Sequence, residues 1–424
     1  MKSIRLLVLA AFSWSAAAAL ADDPVFEPWS YTGTDIYPSA VIATSTVDWH
    51  AEEPEDEADA KATDEETDAD TKEEADTEPA PEETPTYGDI NAWLGARIFD
   101  VPAGAKIKVE LSGDGWLKPS RAEVTIEEES DQIIVMPKGL YDYAALGKIR
   151  QQRPATLTIK VSINGKKLPD QSQSVILRSI NECPFYVHFD NAESDDLSWM
   201  FAAYVNENHP WIDGILKEAL DAGLVDSFDG YQSGDPAKVA QQVFAIWHIM
   251  QRHGIRYSDI TATPRSKFVS AQVVRFLDDS VKASQANCVD GSVIFASILT
   301  KISIKCGLVL VPGHCFIAFD LSADGTLDPT TDTCVGLETT LLGADKLKPM
   351  SELAKLPDDV KIETAEAETE ASGKTFLSAI ATAGEVFKEH GEEFLDDKTG
   401  LDYQIIAIDD AREYGIMPLA APEK

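Results

Sequence analysis

The chain has 424 residues, 44% of them hydrophobic and 26% charged, with a formal charge of −37 at pH 7. That length exceeds one ordinary domain and predicts two folded domains plus something else. The acidic excess excludes a protein that neutralises nucleic-acid phosphates and argues against docking on an anionic membrane; five cysteines are too few for a disulfide scaffold.

Lys2 and Arg5 precede an apolar run from Leu6 to Leu20, which ends in an A-x-A site at Ala19-Leu20-Ala21. This pattern predicts a cleavable signal peptide over 1–21, too short and wrongly flanked for an anchor, and hence a periplasmic or secreted protein. No later stretch holds 18 consecutive apolar residues, so no membrane insertion is expected after cleavage. An N-terminal segment spans 22–50. Residues 51–86 contain 17 acidic and two basic residues and no large apolar side chain. Such a segment cannot bury enough surface to offset its ordering entropy, so it reads as a disordered, self-repelling linker.

Over 87–183 the pattern becomes strand-like. Ala105 to Leu111, Ala122 to Ile126 and Leu157 to Ile163 alternate with period two, and Asn164-Gly165 supplies a hairpin turn. Short strands with turns between them predict a small all-β, sandwich-like domain. Nothing in it resembles a nucleophile or a metal cluster.

Over 190–424 the helical period takes over. Asp235-Pro236 caps a helix whose apolar face holds Val239, Val243, Ile246, Trp247 and Met250, and Gly254 closes it. His209-Pro210 to Gly223 repeats that grammar, and another amphipathic helix follows Asn287. Strand-like runs come next at Gly307 to Val311, Phe316 to Leu321 and Val335 to Leu342. Glu363 to Gly373 reads as a second acidic insert, before a helix from Phe376 to His390 and a strand from Tyr403 to Ile408.

There is no phosphate-binding glycine loop, no H-E-x-x-H, no C-x-x-C and no G-x-S-x-G. His248 and His253 point to different faces of their helix. Asp320, Ser322, Asp324, Gly325 and Asp328 imitate a calcium loop, but Thr331 stands where the bidentate Glu belongs. One constellation remains. Asn287-Cys288-Val289-Asp290 puts Cys288 in the first helical turn, where free N–H groups and the positive dipole end favour a thiolate. Pro312-Gly313-His314 opens a strand and supplies an imidazole; Leu337-Glu338-Thr339-Thr340 supplies a carboxylate to orient it.

The third residue is contested. Asp320 lies six residues beyond His314 on the same strand, roughly 20 Å away, and cannot orient the ring. Asp328, in Leu327-Asp328-Pro329-Thr330, lies in a Gly/Pro/Thr-rich stretch, whereas Glu338 sits in a strand pattern able to pair with the His314 strand; Glu338 is favoured. With His314 facing Glu338, the register would pair Cys315 with Leu337 and Cys334 with Ala318, placing the two thiols on opposite faces.

That order of Cys on a helix start, then His and an acid on successive strands, resembles the transglutaminase-like superfamily of papain-like cysteine enzymes. The likeness is to bacterial members and runs through Cys288-Val289-Asp290, Leu308 to His314 (LVLVPGH) and Leu337 to Thr340 (LETT). Gln272-Val273-Val274-Arg275 and Asp410 to Ile416 extend it over roughly 239–419. The acid is Glu where many members use Asp, and the Cys–His interval is short. The resemblance implies an α+β, papain-like domain and acyl transfer with Cys288 as nucleophile, His314 as base then acid, and Glu338 holding His314. The N–H of Cys288 is the first oxyanion donor, Gln272 the candidate side-chain donor and Gln285 the second choice. Hydrolysis of an amide in a peptide or protein substrate is expected, with no cofactor and no metal. The alternative is an inactive binding or assembly protein of the cell envelope that keeps the fold.

Overall fold

The computed structural model describes residues 25–47, 84–89, 91–189, 194–260, 262–364, 367–396 and 402–419. The leader read over 1–21 and almost all of the acidic segment lie outside these residues. At 31% helix and 30% strand, spread over several sheets, the chain is α+β.

Period-two alternation builds the first unit. Lys106–Gly113 buries Ile107, Val109 and Leu111 while Lys106 and Lys108 face water, and Arg153–Ile163 buries Leu157, Ile159 and Val161. These strands belong to a seven-stranded sheet; Leu94–Val101 belongs to a four-stranded one, and its Leu94, Ala96 and Ile98 share a single core with them. Two sheets thus pack face to face. Asn164 and Gly165, at φ +50° and +80°, make the two-residue hairpin between Ile163 and Lys166.

The N-terminal segment is woven into both sheets. Phe26–Ser30 pairs with Leu94–Val101, and Asp35–Ile36 runs parallel to Gln171–Leu177. At the far end of the acidic segment, Thr84 is buried and Thr86 opens a strand, Thr86–Gly88, beside Ser130–Met136. Ordered structure therefore begins before Tyr87. Glu182–His188 leaves the sandwich altogether: it pairs with Val269–Val273, and its Cys183 and Val187 lie in the larger core.

The larger core surrounds an antiparallel sheet in the order Cys334–Leu337, His314–Asp320, Cys306–Val311, Gln404–Ala407. Leu308, Ile317, Phe319 and Val335 face the helix Cys288–Lys301 side, whereas Val309, Phe316, Ala318 and Cys334 pack under Phe387 and Phe394. Burial on both faces explains the nearly unbroken apolar runs of these strands. The helices Pro210–Asp221 and Pro236–Arg252 start at their prolines and are followed by Gly223 and Gly254 in left-handed conformation.

Three expectations are corrected. The stretch Glu363 to Gly373 is not a loose insert, because the helix Ala367–His390 begins inside it and buries Thr369, Ser372 and Gly373. Small residues let it press on Pro236–Arg252, where His248 Nδ1 meets Ser372 Oγ at 2.8 Å and Trp247 Nε1 donates to Thr375 at 3.0 Å. A search for large apolar residues misses such a face. The strand expected over Val335 to Leu342 stops at Leu337. Its register is two residues from the expected one: Ile317 faces Leu337 and Asp320 faces Cys334. Because the shift is even, Cys315 and Cys334 still face opposite sides of the sheet, and all five cysteines are free.

Arg178 joins the two cores. Its guanidinium grips Asp35 through Nε at 2.9 Å and Nη2 at 3.2 Å, reaches Glu182 at 3.2 Å and Gln152 at 2.9 Å, and donates to the Arg265 carbonyl. Burial pushes the Glu182 carboxyl up, more than Ser179 N–H and Arg178 pull it down. Removing one partner strands the other charges in the interior, at a cost of about 3–5 kcal/mol. Arg178→Ala should therefore lower the urea midpoint sharply with little change in slope; a midpoint within 0.5 M of wild type would contradict the role given to this cluster.

Candidate active site

Cys288 is the first residue of the helix Cys288–Lys301. Asn287 caps it by accepting from Asp290 N–H at 2.8 Å, while Asp290 Oδ2 accepts from Asn287 N–H at 3.1 Å. Asp290 is buried and also accepts from the backbone N–H of Arg275 at 2.8 Å and from its guanidinium at 3.3 Å. Burial nonetheless lifts the Asp290 carboxyl above its ordinary range, against these partners. The helix start is thus bolted to the chain that precedes it. Among the described residues, the N–H groups of Cys288 and Val289 meet no acceptor, as expected of the first two helical positions.

His314 is set by a tight hairpin. Pro312 and Gly313, the latter at φ +72°, fill the turn between the paired residues Val311 and His314. His314 Nε2 lies 2.6 Å from Glu338 Oε2, which leaves Nδ1 for the other side. There the side chain of Cys288 is near enough to raise the ring's affinity for the proton. The Cys288 side chain first, and the bond and charge of Glu338 next, raise His314 to about 10 against the effect of burial.

Glu338 does not continue the strand. It caps the 3₁₀ turn Thr339–Leu341, its Oε1 accepting from Thr340 N–H at 3.0 Å and from Thr340 Oγ1 at 2.6 Å. Burial alone would raise its carboxyl; the His314 bond and charge, with the two Thr340 donors, outweigh that and hold it below the ordinary range. Its own N–H donates to Ala379 of the long helix at 3.2 Å. Gly336 allows that approach, since a Cβ there would stand 2.7 Å from Ala383 Cβ.

The structure brings Cys288, His314 and Glu338 together and leaves the other candidates apart. Gln272, on Val269–Val273, donates to the Val273 carbonyl at 3.1 Å and bonds neither Cys288 nor His314. Gln285, three residues before Cys288, is half-buried and its side-chain amide is uncommitted among the described residues. Asp328 accepts from Thr330 N–H and Oγ1 in an exposed turn. Asp320 is buried and spends its oxygens on Ser322 and Leu327 N–H. No group of metal-ligating side chains is found among the described residues. His248 and His253 bond Ser372 and Glu218 respectively.

Two contacts of the site escape motif reasoning. Thr339 Oγ1 donates to the Cys288 carbonyl at 3.4 Å, tying the acid's turn to the nucleophile's helix. Gly291, in the helix interior, leaves room for it: a Cβ would sit 2.8 Å from Thr339 Oγ1 and 3.0 Å from its Cβ. A glycine inside a helix costs about 1 kcal/mol relative to Ala, and that cost was the available signal. A cavity of about 370 Å³ lies elsewhere, between the Cys334 strand and the long helix, and none of the three residues lines it. No family model matches the chain, and no curated protein matches it either.

Helix propensity favours Gly291→Ala by about 1 kcal/mol, whereas overpacking costs about 1–3 kcal/mol. With Thr339 hydrogen-bonded and unable to yield freely, the clash wins. The variant should lose stability in urea and label more slowly at Cys288; a gain in stability would show that the contact is loose.

Proposed function

We propose that the protein is an exported thiol enzyme of transglutaminase-like, papain-like type that hydrolyses an amide or peptide bond. The observation that carries the reading is His314, bonded to the Glu338 carboxylate at 2.6 Å and with its affinity for the proton raised by Cys288 and Glu338 together. An imidazole beside a thiol at a helix start can take the thiol proton as the sulfur attacks. Cys288 Sγ attacks the amide carbonyl, and the oxygen takes up negative charge near the free N–H groups of the first helical turn. His314 then gives its proton to the departing amine as the C–N bond breaks. Water attacks the thioester, His314 takes one of its protons, and the C–S bond breaks to release the carboxylic acid. Glu338, fixed by Thr340, holds the ring in one orientation and stabilises its charge throughout.

Hydrolysis is preferred to cross-linking because water is always at hand and no amine site is marked. The apolar leader supports an extracytoplasmic location. Cys288→Ser and His314→Ala should each lower kcat/KM on a quenched-fluorescent peptide library by at least about 10³-fold, and His314→Ala should also slow iodoacetamide labelling near neutral pH. Glu338→Gln should give a smaller loss and Asp328→Asn none. If Asp328→Asn is the damaging change while Glu338→Gln is silent, the acid is misassigned; if all variants label like wild type, the chain is a binding protein on this fold.

A further inference from the structure

We propose that Tyr257 walls the acyl side of this site and selects a substrate whose residue beside the scissile carbonyl is apolar, above all aromatic. The inference rests on Cys288 being the nucleophile. Tyr257 belongs to the two-residue strand Arg256–Tyr257, which runs parallel to Gln285–Ala286 and sets Tyr257 opposite Ala286, two residues before Cys288. Ser258 N–H continues the pairing by donating to the Ala286 carbonyl at 2.9 Å. The same short strand is clamped from the other side. Arg256 packs on Gly343, where a Cβ would stand 3.1 Å from its Cγ, and its guanidinium meets Asp345 at 3.3 Å. Tyr257 is therefore held between the segment that delivers the nucleophile and the segment that follows Glu338.

Held in that way, Tyr257 is nevertheless 46% exposed, and its ring and hydroxyl make no hydrogen bond or ring contact among the described residues. Ile260, three residues on, is 72% exposed, more than any other large apolar residue described. A rigid aromatic wall with an uncovered face costs little entropy to bury and gains most from an apolar or aromatic cover. Partial burial, then Asp259, Cys288 and Glu338, all raise the Tyr257 hydroxyl, so it stays neutral and the nearby carboxylates disfavour an acidic substrate. The side of the bond follows from the chemistry. The leaving amine must lie over His314, which protonates it, whereas the carbonyl lies over the Cys288 N–H. Tyr257 adjoins the chain leading into that N–H, and so faces the residue that supplies the carbonyl.

Peptidyl chloromethyl ketones that differ only in the residue beside the ketone test this on the full-length protein, with iodoacetamide as a probe that has no such residue. Wild type should react with the Phe reagent at least about tenfold faster than with the Gly reagent, the scale of discrimination an apolar contact supports. Tyr257→Ala should bring that ratio near one and Tyr257→Phe should preserve it, the ratio of the two reagents within each variant cancelling any change in the reactivity of Cys288. A ratio near one in wild type, a faster Lys or Glu reagent, or a Phe preference that survives Tyr257→Ala would overturn the proposal. Iodoacetamide labelling no faster than that of an unstructured thiol would instead remove the nucleophile assignment, and this inference with it.

Discussion

The reciprocal bonds between Asn287 and Asp290 are the constraint on which the rest of the site depends. They settle where the helix begins, and so decide that Cys288 occupies its first position, with unpaired N–H groups beside the sulfur. Moving the start by one residue would carry Cys288 through about 100° of helix and away from His314. Arg275 secures the arrangement by spending its backbone N–H and its guanidinium on the same buried carboxylate. A buried Asp would be a liability on its own; four hydrogen bonds involving its side chain and cap make it a fixture.

The opposite wall of the site comes from the sheet. The Pro312-Gly313 turn places His314 at the first strand position, and the neighbouring strand ends at Leu337, opposite Ile317 and three residues short of the position that would pair with His314. That early end is what lets Glu338 leave the sheet, cap a 3₁₀ turn and reach back along a diagonal to the imidazole. The long helix Ala367–His390 props the turn through Ala379, and Gly291 and Gly336 each remove a methyl group that would hold two elements apart. Here precision comes from absent atoms as much as from present ones.

Much of this was legible in the residues. Caps at Asp235, His209 and Asn287, the glycines that follow two of those helices, and the Asn164-Gly165 hairpin all encode local geometry, and local geometry survives into the fold. The relation between Cys288, His314 and Glu338 could be read because each sits at an element's boundary, where turn and cap residues announce it. What could not be read was packing between small residues. The face made by Thr369, Ser372 and Gly373 carries no hydrophobic period, and no residue pattern announces the two-residue shift of the Cys334 strand or the close approach of the long helix at Gly336. Gln272 shows a related limit: its place in a motif said nothing about its amide, which turns to the Val273 carbonyl.

The state of the His314 ring bears most directly on whether these three side chains act as a unit. A ring whose affinity for the proton is raised from the ordinary 6.5 to about 10 keeps its charge across neutral pH, and its contribution to stability is complete below about 6.5 and lost as pH rises through 10. Nitrogen-15 NMR of the His314 ring across pH 5 to 11 reads this directly. A wild-type ring that stays protonated at neutral pH, releases its proton near 10, and falls toward 6.5 in both Cys288→Ala and Glu338→Gln is the expected result. A ring that titrates near 6.5 in wild type and ignores both substitutions would show three neighbours with no shared chemistry.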